Sequence, residues 1–220
     1  KDGTPFWNRL AISPVLNDAG RCTHYIGILE DISRQLSQEA RIAYQATHDL
    51  LTDLPNRAAL EARLEQDFRW SQQQRKLLAV MYLDLDGFKG INDGLGHPVG
   101  NQLLMAVAER LRQLLGPHDT VGRLTGDEFV FLMPGITCRE EVAAVADRIL
   151  LALDNPFAIE GRKLHISTSI GVACANEDIQ NPHELVQQAN LAVATAKQQG
   201  RNTWQWYRGD DGRDNVQHAM

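Results

Sequence analysis

An apolar run that ends in acid constrains this chain more than any other feature. Leu77-Leu78-Ala79-Val80-Met81-Tyr82-Leu83 passes directly into Asp84-Leu85-Asp86. An unbroken apolar run of this length reads as a buried central strand. Carboxylates at the end of such a strand are costly unless something pairs with them, and a divalent metal is one common solution. A second acidic pair, Asp127-Glu128, is framed by Gly126 and the β-rich Phe129-Val130-Phe131-Leu132. If that segment is a hairpin beside the central strand, its turn brings Asp127 close to Asp84. A metal held by one or two carboxylates together with substrate phosphates is the usual arrangement in phosphoryl transfer. Taken singly, each acidic string is more often a solvated turn.

Around this strand the pattern alternates between helix and strand. Helical periodicity falls near 56–73, 98–115, 139–153 and 182–199, and strand patterns near 77–85, 119–133, 164–174 and 203–207. The segment 119–133 reads as two strands hinged at Gly126, and Pro134-Gly135 is expected to close the second. Strands separated by helices predict an α/β or α+β sandwich with helices on the sheet faces. Ahead of it, 5–16 and 22–30 are β-rich and separated by the turn cluster Asn17-Asp18-Ala19-Gly20, which predicts a hairpin. Two strands alone do not make a stable domain. From Ile32 to Ala46 the apolar positions Ile32, Leu36, Ala40 and Ala43 form a narrow helical stripe, suited to pairing with its twin or to packing on a neighbouring domain.

The chain has 220 residues, 43% hydrophobic and 23% charged, and no apolar run approaches a membrane span. A net charge of −6 argues against a nucleic-acid-tracking surface and favours a nucleotide gripped locally. Cys22, Cys138 and Cys174 are odd in number and widely spaced, so neither a disulfide framework nor a cysteine metal site is expected, and a reducing cytoplasm is the expected home. The sequence begins at Lys1 without an initiator methionine, leaving room for upstream segments that include a membrane anchor.

Between the acidic sites lies Phe88-Lys89-Gly90-Ile91-Asn92-Asp93-Gly94-Leu95-Gly96-His97-Pro98-Val99-Gly100-Asn101, and the second site reads Thr125-Gly126-Asp127-Glu128-Phe129. Asp49-Leu50-Leu51-Thr52-Asp53-Leu54-Pro55-Asn56-Arg57 precedes them and Ala196-Lys197-Gln198-Gln199-Gly200-Arg201-Asn202 follows. In this order the four motifs resemble the GGDEF diguanylate cyclase family, over roughly three-quarters of the chain. The hairpin, ending in Asp31-Ile32-Ser33, resembles the last two strands of a PAS sensory domain; Leu29 stands where flavin-binding members carry Gln. The resemblance implies a mixed, mostly antiparallel sheet flanked by helices, of the nucleotidyl-cyclase and polymerase-palm kind. The implied layout is a PAS end over 1–31, a linker helix over 32–48, the GGDEF domain over 49–208 and a linker toward a further domain over 209–220.

It also implies roles. Asp84, Asp127, Glu128 and the Leu85 carbonyl would bind Mg²⁺ or Mn²⁺, and Asp127 would accept the proton of an attacking 3′-hydroxyl. The Phe88-Lys89 backbone would meet the phosphates while the Lys89 ammonium offsets charge at the reacting phosphate. Lys197 and Arg201, four apart and so on one helix face if the helix extends that far, would hold the terminal phosphates. Asn92 would read the guanine edge, with His97 beside it bracing the loop or touching ligand.

Three departures stand out. Thr125 replaces the first signature glycine, and a β-carbon there is expected to restrict a tight turn. Asn101 replaces a guanine-pairing Asp; an amide offers one acceptor oxygen and sets donors against donors, at about 1–3 kcal/mol for a group left unpaired. The inhibitory R-x-x-D motif reads Gly116-Pro117-His118-Asp119, which implies that the product-inhibition site is missing. The leading expectation is a cyclase that condenses two GTP molecules in a homodimer held by the linker helix or the PAS portion. The alternative is a weakly active GTP-binding module that controls an adjacent EAL phosphodiesterase domain. An unrelated ATP-using palm enzyme shares the carboxylate logic but not the full signature.

Overall fold

The computed structural model describes residues 5–175, 179 and 181–209. Residues 210–220, expected to be a linker, lie outside the described residues, as do 1–4 of the hairpin portion. The chain divides into two units, Lys1–Ala46 and Thr47–Met220.

In the first unit β1 (Asn8–Leu16) and β2 (Cys22–Asp31) pair antiparallel, as the turn cluster between them predicts. The Asn17 side chain accepts from the N–H groups of Ala19 and Arg21, and Gly20 takes φ 72°. Leu10, Ile12, Tyr25 and Leu29 remain exposed, and the register puts all four on one face. Helix α1 (Ser33–Gln45) follows, with none of its residues buried.

The second unit is built on a five-stranded sheet in the order β4-β5-β3-β8-β9. Its strands are β3 (Leu77–Asp86), β4 (Thr120–Thr125), β5 (Glu128–Ile136), β8 (Ser167–Cys174) and β9 (Thr203–Trp206). Only β8 and β9 run parallel, so the sheet is mixed and mostly antiparallel, as expected. Helices α2 (Arg57–Gln74) and α6 (His183–Gln198) cover one face; α4 (His97–Arg112) and α5 (Arg139–Asp154) cover the other. The central strand therefore feeds two cores. Ala79, Met81, Leu83 and Leu85 join the α4–α5 side, while Leu78, Val80 and Tyr82 join the α2–α6 side. Burial on both faces is why its sequence does not alternate. Strand parity carries Asp84 and Asp86 onto the α6 side, where the site forms. No helix among the described residues is long and apolar enough to cross a membrane.

Four details depart from the sequence reading. Strand β5 does not stop at Pro134-Gly135 but runs to Ile136 through an irregularity opposite Leu77/Leu78, with Gly135 at φ 80°. Pro134 lies past the end of the β4 pairing, where a missing N–H breaks no ladder on that side. A short helix, α3 (Phe88–Leu95), occupies part of the stretch between the acidic sites, and His97 opens α4 rather than sitting in a loop. Strands β6 (Phe157–Ile159) and β7 (Arg162–Leu164) form an unforeseen small hairpin about Glu160-Gly161, both at positive φ. Helix α6 ends at Gln198, so Arg201 is not on it; Gly200, Arg201 and Asn202 all take positive φ.

Candidate active site

The site gathers at the carboxyl end of β3. Asp84 lies opposite Glu128, the first residue of β5, and the Leu85 N–H donates to the Asp127 carbonyl at 3.3 Å. Thr125 pairs with Glu128, leaving Gly126-Asp127 as a two-residue turn. Gly126 has φ 54°, which suits the first central position of a hairpin turn and explains a glycine there. Burial pushes the Asp127 carboxyl above the ordinary aspartate range, and the charges of Asp84 and Glu128 add to the shift. Tyr82, buried one strand repeat below Asp84, is hydrogen-bonded to Glu128; burial, reinforced by that carboxylate, pushes its phenol well above the usual range.

From α6 the Lys197 ammonium reaches the Asp84 carboxylate at 2.7 Å. Arg201, beyond the helix, places Nε 4.0 Å from Asp86. The two cations thus meet the same strand end although they do not share a helix face. Among the described residues no three His, Cys, Asp or Glu side chains converge closely enough to hold an ion unaided. The donor set, hard oxygens on two adjacent strands, fits a small divalent cation that completes its shell with water and phosphate oxygens.

On the other side of the strand end, α3 starts at Phe88 after Gly87 at φ 77°, with no side-chain cap on its first turn. The first N–H groups of α3, at Phe88 and Lys89, have no side-chain cap; the Lys89 side chain is exposed and the Phe88 ring buried. The Asn92 Oδ1 atom is buried without a hydrogen-bond partner. Gly100 makes that position possible, because a β-carbon there would stand 1.9 Å from the same oxygen. Asn101, next along α4, and His97 are both exposed.

Sequence reasoning passed over Arg123. Its guanidinium pairs with Asp49 at 2.9 Å and donates twice to the Gly126 carbonyl, at 2.9 and 2.6 Å, bracing the turn that carries Asp127. Asp49 is further held by the N–H and hydroxyl of Thr52, which, with Arg123, keep its carboxyl below the usual range despite partial burial. The only signal available was the place of Arg123 just before the acidic turn.

The family model for the diguanylate cyclase GGDEF domain matches residues 46–203. The chain belongs to the GGDEF family. It is 44% identical over 159 residues, 71% of this chain and 23% of the relative, to the bifunctional diguanylate cyclase/cyclic di-GMP phosphodiesterase MucR of Pseudomonas aeruginosa. With the diguanylate cyclase TpbB of the same organism it shares 38% over 172 residues, 78% of this chain and 40% of the relative. The cyclic di-GMP phosphodiesterase NbdA, also from Pseudomonas aeruginosa, is 36% identical over 201 residues, covering 91% of this chain and 25% of that protein. The chain therefore spans less than half the length of these curated relatives. The solved GGDEF domain of TpbB superposes with a TM-score of 0.72 at 37% identity, covering 74% of this chain and 96% of that one. Within this GGDEF domain, Thr125 does not strain the turn: it is the exposed last residue of β4 and is absent from the positive-φ residues, so its β-carbon costs the backbone nothing.

Proposed function

We propose that this GGDEF domain binds GTP together with a divalent cation, Mg²⁺ or Mn²⁺, and that two such domains condense two GTP molecules into cyclic di-GMP. The observation that carries this reading is the convergence of Asp84, Asp127, Glu128 and Lys197 on one strand end. In each half-reaction the 3′-oxygen of one GTP forms a bond to the α-phosphorus of the other. The bond from that phosphorus to the bridging oxygen breaks, and pyrophosphate leaves. Asp127 takes the 3′-hydroxyl proton from its place in the turn between β4 and β5, beside Asp84. Asp84, Asp127, Glu128 and the Leu85 carbonyl would hold the cation, which supplies charge neutralisation at the phosphates. Lys89 and the first turn of α3 would meet the reacting phosphate, Lys197 and Arg201 the terminal ones. The unpartnered Asn92 Oδ1 is an acceptor of the kind a guanine N–H needs. Asn101 lies beside it in sequence and His97 at the same helix start. Each domain supplies half a site, so pairing through α1 or the hairpin portion would govern turnover.

A second reading, a GTP-binding module that regulates a neighbouring EAL domain in a longer cytoplasmic or membrane-anchored protein, is favoured by the amide at Asn101 and by the likeness to NbdA. Incubation with GTP and Mg²⁺ at high protein concentration, with cyclic di-GMP separated by mass, decides between them. Product that disappears in Asp127→Ala supports the cyclase; GTP binding without product supports the module.

A further inference from the structure

Asp84 and Asp86 look equivalent in sequence, two carboxylates one residue apart at a strand end, yet their surroundings give them different work. Asp84 faces the Lys197 ammonium and the acidic turn. The Asp86 side chain is only 5% exposed, and donors surround both of its oxygens. Oδ2 accepts from the Ser167 hydroxyl at 2.8 Å and from the Asn202 backbone N–H at 3.2 Å. Oδ1 accepts from the Ser169 hydroxyl at 2.7 Å and lies 4.0 Å from Arg201 Nε. A carboxylate so engaged has little acceptor capacity left for a metal ion.

What it does hold is the turn after α6. Gly200, Arg201 and Asn202 stand at φ 113°, 63° and 46°, the last two in a region that L side chains avoid. A run of this kind persists only where its surroundings over-determine it. The contact that ties this run to the sheet is the Asn202 N–H on Asp86, and Asp86 is itself pinned to β8 by two serine hydroxyls. The helix holds the near side of this turn through its last carbonyls, Ala196 accepting from the Arg201 N–H at 3.2 Å and Lys197 from the Gly200 N–H at 3.4 Å, but α6 has ended at Gln198 and the Arg201 side chain is not on its face.

We infer that Asp86 is a positioning residue: it anchors the left-handed turn at 200–202 to the sheet, and so aims Arg201 at the terminal phosphates of a bound nucleotide. This rests on the reading that the site binds GTP, and it adds that recognition of the β- and γ-phosphates passes through a carboxylate that touches neither nucleotide nor metal.

The experiment compares affinities for GTP and GMP, measured by calorimetry with Mg²⁺ on the whole chain, for the wild type, Asp86→Asn, Arg201→Ala and the double variant. Asp86→Asn is expected to weaken GTP about tenfold, the size of one charge-assisted hydrogen bond, and to leave GMP unchanged. Combined with Arg201→Ala it should add almost nothing, because both changes remove one grip. Should Asp86→Asn compromise folding, judged by its thermal melt, the Ser167→Ala/Ser169→Ala pair leaves the carboxylate in place but unpinned, and should lower GTP affinity in the same direction. Unchanged GTP affinity in a folded variant overturns the inference. So does an equal loss for GTP and GMP, which marks a contact with the base or sugar, and so do fully additive effects with Arg201→Ala, which mark a contact of its own with the metal or the phosphates. A wild-type chain that binds GTP no better than GMP sinks the GTP-binding reading itself, and this inference with it.

Discussion

At the scale of single residues, the identity of the carboxylates was legible and their division of labour was not. Asp84 stood out because acid after an apolar run needs a reason, and Asp127 and Glu128 because the family resemblance points to them. Asp86 could not be told apart from Asp84, since its partners Ser167, Ser169 and Asn202 lie more than eighty positions away. Thr125 reads as a defect when the motif is taken as a string, but it causes no strain once its place in β4 is known. Two residue-scale predictions follow from the site's electrostatics. The folded state binds the Asp127 proton more tightly than an unfolded aspartate does, so the ionised form works against folding at neutral pH, a penalty that fades as pH falls toward 3.8. Asp127→Asn in chelating buffer should therefore raise the melting temperature by a few degrees at pH 7, and the gain should shrink on acidification. A lower melt at pH 7 would show that the aspartate's contacts outweigh its charge. Asn101→Asp restores a carboxylate that can accept from two guanine N–H groups, and GTP affinity should rise about tenfold in calorimetry. Equal affinity would mean that the amide already finds adequate partners.

Among the elements, the long helices and strands were legible from periodicity, while α3, β6 and β7 were not; each is eight residues or fewer and too short to show a period. The end of α6 was written in Gly200, but the value of ending there lies in contacts with the sheet that no local pattern encodes. Helix α6 comes close to the sheet at Gly171 in β8, where an added β-carbon would sit 1.9 Å from the Ala189 carbonyl oxygen and 2.6 Å from the Val193 nitrogen. Gly171→Ala should push α6 outward and cost about 1–3 kcal/mol in chemical denaturation. Because α6 carries Lys197, GTP affinity should fall as well. Normal binding in a destabilised variant would show that Lys197 is placed independently of the helix seat. Cys174, at the end of β8, has its thiol pushed up to about 12 by burial, whereas Cys22 and Cys138 are exposed. A thiolate-selective reagent at pH 8 should label the two exposed cysteines quickly and Cys174 only after unfolding. Rapid labelling of all three would mean that the β8 end opens in the native state.

For the whole molecule, a domain that carries half a site should show a specific activity that rises with protein concentration and falls on dilution. A specific activity independent of concentration over a hundredfold range would require a preformed, undissociating pair. Electrostatics at this scale adds a further constraint, because on the proposed reading a chain of net charge −6 admits a polyanionic nucleotide. The contact between Lys197 and Asp84 at 2.7 Å resolves the conflict as an exchange of partners. A free metal ion approaching Asp84 would find the carboxylate already compensated and would have to displace an ammonium to water. A metal ion arriving on a triphosphate would bring the replacement with it, since Asp84 could then serve the metal while Lys197 serves a phosphate. On the proposed reading, cation and nucleotide are therefore favoured to enter as one package, with the lysine a placeholder that yields its carboxylate most readily when a phosphate is there to receive it.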